Sequence, residues 1–170
     1  MPSTTIDRTR IGTFLGSLLA FWLFFEVATL LLEVSMLQLA PLYMFTPLLA
    51  AAITVIRSDV GIETLGVRLG RPRWLLVAAI LPLVLAVLAT GVAIAVPGIA
   101  FSPGAILLPG VQLPAGIAGA LATVGIVLVL GVTVNAALAV GEEVGWRGYL
   151  LWELAPLGFV RASIAIGTIW

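Results

Sequence analysis

Polar positions are sparse along this chain and fall between long apolar runs. Four runs, at about 11–32, 37–56, 74–96 and 115–140, each hold the ~20 mainly apolar residues that a membrane-spanning helix needs. A fifth opens near residue 160 and is still apolar at Trp170. The pattern predicts an all-α fold, a polytopic transmembrane helix bundle with four full spans plus the start of a fifth. All of it forms a single membrane domain over 1–170. The first run is longer than the ~7–15 residue core of a signal peptide, so it reads as an uncleaved span. Glu33 is expected at the membrane edge after that span, and Pro41 in the opening turn of the next.

Composition changes the picture in one direction. Of the 170 residues, 62% are hydrophobic and 9% charged, against about 25% charged in an ordinary soluble domain. A soluble fold of this size has too large a surface for its volume to hide so much apolar material. Lipid removes the difficulty, because there the exposed face is apolar. Net charge is zero and histidine and cysteine are absent. No basic face for nucleic acid, no disulfide and no thiolate or histidine zinc site is therefore expected. The expected partners are membrane lipids and a peptide or membrane-protein substrate.

All eight cations are arginine, and their distribution orients the spans. Arg8 and Arg10 precede the first run. Arg57, Arg68, Arg71 and Arg73 lie between the second and third, and Arg147 and Arg161 follow the fourth. The connections at 33–36 and 97–114 carry none. Since positive residues mark the cytoplasmic side, the chain is expected in the cell membrane, multi-pass, with its N-terminus and 57–73 cytoplasmic and 97–114 outside. Pro97-Gly98, Pro103-Gly104 and Pro109-Gly110 make 97–114 an irregular outer loop. Residues 57–73, with Ile62, Leu65, Val67 and Leu69 among charges, read equally as an amphipathic segment along the headgroups or as a solvated loop.

Small residues crowd the fourth run: Gly116, Gly119, Ala120, Gly125 and Gly131. They let helix backbones approach closely in lipid. Glu26 and Glu33, seven apart, share a helix face and either hydrogen-bond a neighbouring helix or line a groove. Glu153 and Arg161 are expected at the membrane interface.

The chemistry-bearing stretch is 141–150, Gly-Glu-Glu-Val-Gly-Trp-Arg-Gly-Tyr-Leu, directly after an apolar span. Charges at membrane depth are costly, which makes them functional candidates. With ~100° per residue, Glu143 and Arg147 lie on one face in the favoured order for an ion pair, and Glu142 lies roughly 140° from Arg147. Arg147 is then expected to neutralise Glu143, so that removing Glu143 would leave the arginine's charge uncompensated, at a lower cost where the site lies near the interface. Glu142 stays free, with Asn135 nearly on its face. A carboxylate in a partly dry site gains proton affinity, which suits a general base that activates water. The plainer alternative is that the three charges cap a span at the interface.

Glu142-Glu143, then Arg147 with Gly148-Tyr149-Leu150, resembles the first motif of the CPBP family of intramembrane glutamic endopeptidases, which includes the CAAX prenyl proteases of the Rce1 type and bacterial Abi proteins. Leu65-Gly66-Val67-Arg68-Leu69 through Arg71-Pro72-Arg73-Trp74 resembles the short element that precedes a span in many members. Gly167-Thr168-Ile169-Trp170 resembles the approach to the second motif. The resemblance covers about 57–170. It implies that Glu142 activates a water for attack on a peptide carbonyl, that Glu143 and Arg147 complete the motif, and that histidines and an Asn or Asp on later helices complete the site. This sequence departs from that pattern, having no histidine. It stops inside an apolar run, which reads as an N-terminal fragment with part of an active site.

The expected function is thus an intramembrane endopeptidase of the CAAX type with catalytic Glu142, Glu143 and Arg147 and no cofactor. A metal-dependent peptidase with Glu142 as a ligand stays open. The alternative is a non-catalytic membrane protein on the same scaffold, acting in bacteriocin immunity or protein interaction. A small transporter or channel would carry further intramembrane charges and repeat symmetry, and neither is visible.

Overall fold

A computed structural model describes residues 5–67, 70–98, 113–114 and 116–170. The described residues are helical, with no strand among them. The helices are α1 (Arg8–Leu32), α2 (Met36–Tyr43), α3 (Thr46–Arg57), α4 (Pro72–Ile94), α5 (Gly116–Glu153) and α6 (Phe159–Ile169). Single 3₁₀ turns cover Ile62–Leu65 and Ala155–Leu157. Four stretches are long and apolar enough to cross a membrane: Arg8–Leu32, Met36–Arg57, Pro72–Ile94 and Gly116–Glu153. Their large apolar side chains are largely exposed on the protein, as befits helices surrounded by lipid rather than water.

Each helix begins where its sequence provides a start. Asp7 caps α1: its Oδ1 accepts from the N–H groups of Thr9 at 2.9 Å and Arg10 at 3.0 Å, so the helix opens at Arg8, before the apolar run. Gln38 Oε1 accepts from the Ser35 N–H at 2.8 Å at the start of α2. Pro72 is the first residue of α4, where a missing N–H costs nothing. Glu33 ends α1 in the left-handed region at φ 53°, and at that C-cap it has left the helical face it would share with Glu26.

The second span is not one straight helix. Pro41 lies in the second turn of α2, not in its opening turn, because the helix already starts at Met36. Pro41 and Pro47 cannot donate to the carbonyls of Leu37 and Tyr43, the i−4 positions. The chain turns at Met44–Phe45 and resumes as α3. Residues 57–66 form no long surface helix either. They make the turn Ile62–Leu65, closed by Gly66 at φ 67°, with Leu65 packed against the core.

The protein divides into two units, 1–68 with 137–170, and 69–136. In the first, α1 packs on α3, and α3 packs on the stretch 144–150 of α5. Phe14, Ala50, Ala51, Tyr149, Leu150 and Ala162 are fully buried there. In the second, α4 buries none of its residues, and Gly125 and Gly131 meet nothing within 4 Å. The small residues expected to pack closely in the fourth run do not do so at these two positions. The Pro-Gly repeat falls mostly on 99–112, outside the described residues.

Candidate functional site

The glycines of 141–150 explain how the charged motif is held. An added Cβ at Gly141 would lie 2.6 Å from the Met44 carbonyl oxygen and 2.9 Å from Phe45 Cα. At Gly145 it would strike the ring and backbone of Pro47, and at Gly148 the carbonyl oxygen of Leu65. Real Cβ atoms do not approach so closely. The three glycines therefore let α5 lie directly on the α2–α3 turn, the start of α3 and the Ile62–Leu65 turn. The mid-span break also becomes useful, since it is the segment against which the motif is seated.

Helical winding in the motif departs from regular α geometry. Val144–Leu150 and, earlier, Gly131–Asn135 are π-helical. Such wide turns are uncommon and recur at functional sites. The Glu143–Arg147 pair nevertheless forms, one turn apart, as the spacing predicts. The side chains are 49% and 62% exposed, respectively, so the pair lies on the outer side of the helix rather than inside the protein.

Glu142 points elsewhere. It is half-buried, and no ion pair or hydrogen bond engages its side chain among the described residues. It lines two cavities. One, of about 360 Å³, also has Arg147, Phe159, Ser163 and Trp170 in its wall. The other, of about 460 Å³, has Trp22, Tyr43, Thr46 and Leu18. Trp146 and Trp170 line both, so Glu142 stands where the two spaces meet. Besides the carboxylate, one cavity carries an arginine and the Ser163 hydroxyl, and the other the Tyr43 and Thr46 hydroxyls among aromatic and aliphatic side chains.

Not every residue of interest gathers here. Asn135 is exposed, and neither Glu26 nor Glu33 lines either cavity. Among the described residues no group of three or more His, Cys, Asp or Glu is placed to hold a metal ion. The aromatics Trp22 and Tyr43 were absent from the sequence reading of the site. A cue existed for Trp22, which falls in the middle of its span, whereas tryptophan in membrane helices prefers the interfaces.

The Glu153 side chain is fully buried within the protein, 0% exposed, with Oε1 2.8 Å from Arg10 Nε. Oε2 accepts a hydrogen bond from the Arg10 guanidinium at 3.1 Å. Arg10 also lies over the Trp152 ring at 5.8 Å, and Tyr149 sits buried one turn before Glu153. Phe14 bridges this cluster to the motif, meeting Tyr149 at 5.4 Å and Trp146 edge-on at 5.8 Å. The start of α1 is thereby locked to the end of α5. Comparison with protein-family models, with curated proteins and with solved structures finds no match for this chain.

Proposed function

We propose that this chain supplies the carboxylate part of an intramembrane peptidase site of the CPBP/CAAX type, with Glu142 as the base. The observation that carries the reading is the unequal state of the two glutamates: Glu143 is tied to Arg147 on the outer side, while Glu142 is unpaired at the meeting point of two cavities. In this reading Glu142 takes a proton from water as the oxygen attacks the peptide carbonyl carbon, and returns it to the departing amine nitrogen. Arg147, held by Glu143, lines the 360 Å³ cavity and sets the positive field beside the carboxylate. The resemblance calls for histidines and an Asn or Asp to steady the developing oxyanion, and these 170 residues contain no histidine.

The test is peptide cleavage by the full-length protein in membranes. Glu142→Gln is expected to abolish turnover while the protein stays folded and membrane-embedded. Full activity in that variant would overturn the assignment.

The same reading places the protein in the cell membrane with its N-terminus cytoplasmic. Two contacts support a shared side for three arginine-bearing regions. Arg10 meets Glu153, and the backbone at Leu65 and Gly66 abuts Gly148. The start of α1, residues 57–67 and the end of α5 therefore lie at one end of the first unit. A cysteine replacing Ser58, in a chain with no other cysteine, should resist an impermeant thiol reagent in intact cells, and its labelling would reverse the orientation.

A further inference from the structure

We infer that the 460 Å³ cavity is a binding site for a lipophilic organic cation, a monovalent ammonium-type head on an apolar body. Its volume is within the ~300–1,000 Å³ range of small-molecule sites. Three kinds of group line it. Glu142 supplies one carboxylate, and Trp22, Tyr43, Trp146 and Trp170 supply aromatic rings. Leu15, Leu18 and Leu19 from α1 supply an aliphatic wall.

The charge balance points to an external cation. Among the described residues no arginine lines this cavity, and the sequence has no lysine or histidine to provide a counter-charge. Arg147, in the wall of the adjoining cavity, is engaged by Glu143. An ionised carboxylate in a low-dielectric surround is costly unless something pairs with it. A metal ion would want several hard oxygen ligands and keeps its own water, whereas the described lining offers one carboxylate and the Tyr43 and Thr46 hydroxyls among four aromatic rings. Tryptophan is the strongest ring partner for a cation, and desolvation strengthens that attraction. An ammonium head near Glu142 gains both the ion pair and the ring faces. Its apolar body replaces water or lipid along the leucines.

The inference does not rest on the peptidase reading, because binding is measured with no peptide present. Failure of either leaves the other untouched.

The experiment is calorimetric titration of the purified chain in detergent, with empty micelles as blank, using benzyltrimethylammonium and its neutral carbon isostere neopentylbenzene. Saturable binding of the cation is expected, with the isostere about tenfold weaker or worse, since the lost ion pair and ring attraction together exceed one decade. Glu142→Gln should weaken the cation by about tenfold and leave the isostere unchanged. Trp22→Leu, which leaves the motif helix intact, should weaken the cation several-fold; melting temperatures of both variants show whether they are folded. Equal binding of cation and isostere, an unaltered affinity in folded Glu142→Gln, or no saturable binding of the cation would each overturn the inference.

Discussion

Arg10 and Glu153, 143 positions apart in the sequence, form the ion pair that fastens the first helix to the last turn of the motif helix, with 2.8 Å between Nε and Oε1. Glu153 is wholly buried and the Arg10 side chain is 20% exposed. The carboxylate has given up its hydration, so the arrangement depends on both partners being present.

Removing one partner should therefore cost more than removing both. Glu153→Gln leaves Arg10 without its counter-charge and is expected to destabilise by about 2–4 kcal/mol, somewhat below a fully buried pair because Arg10 keeps some solvent. Arg10→Leu combined with Glu153→Leu should recover much of that loss. Thermal unfolding of the purified chain in detergent measures both. A double variant no more stable than Glu153→Gln would show that the pair is not what holds these helices.

The two glycine populations of α5 should respond in opposite ways. Gly145→Ala forces a methyl into Pro47 and is expected to lower stability by about 1–3 kcal/mol or more, the cost of overpacking a close contact. Gly125→Ala meets open space and should be neutral or gain up to ~1 kcal/mol of helix propensity. Melting curves that rank the two variants the other way would remove the glycine seat as the reason the motif lies where it does.

The glutamate neighbours separate function from stability. Glu143→Gln breaks an ion pair whose members are half-exposed or more, so its stability cost should stay within about 1 kcal/mol. If the proposed peptidase reading holds, its effect on peptide cleavage by the full-length protein should be partial, because Arg147 is left less firmly placed, whereas Glu142→Gln should be inactive. Equal residual activities for the two variants would remove the division of labour.

Acid should loosen the start of α1 through Asp7. The Arg10 N–H bond, the largest influence, holds its carboxyl below the ordinary carboxylate value, and Arg10's charge and the Thr9 N–H act the same way. A lowered folded value means that the contribution is fully present above the unfolded pKa, about 3.9 for aspartate, and is lost as pH falls through the folded value. Asn caps helices as well as Asp does but does not titrate. The melting-temperature difference between wild type and Asp7→Asn should therefore shrink or reverse between about pH 6 and pH 3. A difference that stays constant over that range would mean the cap charge plays no part.

The apolar runs alone determined the all-α fold and the four spanning stretches, because an isolated helix satisfies its own backbone in lipid and needs no partner to be specified. The i,i+4 pairing of Glu143 with Arg147 was equally local, since helical geometry places those side chains together whatever surrounds them. Other features depended on distant parts of the chain. Nothing local to Glu153 marked Arg10 as its partner or its side chain as buried. Gly141, Gly145 and Gly148 looked like part of a charged motif until Met44, Pro47 and Leu65 were found against them. The π-helical winding of 144–150 and the aromatic wall from Trp22 and Tyr43 left no periodic mark to read. Hydropathy and helical spacing describe each segment against a uniform surround. Which faces meet, and so which carboxylate is paired, buried or free, is decided by contacts between residues far apart in the chain, and only the tertiary structure contains those.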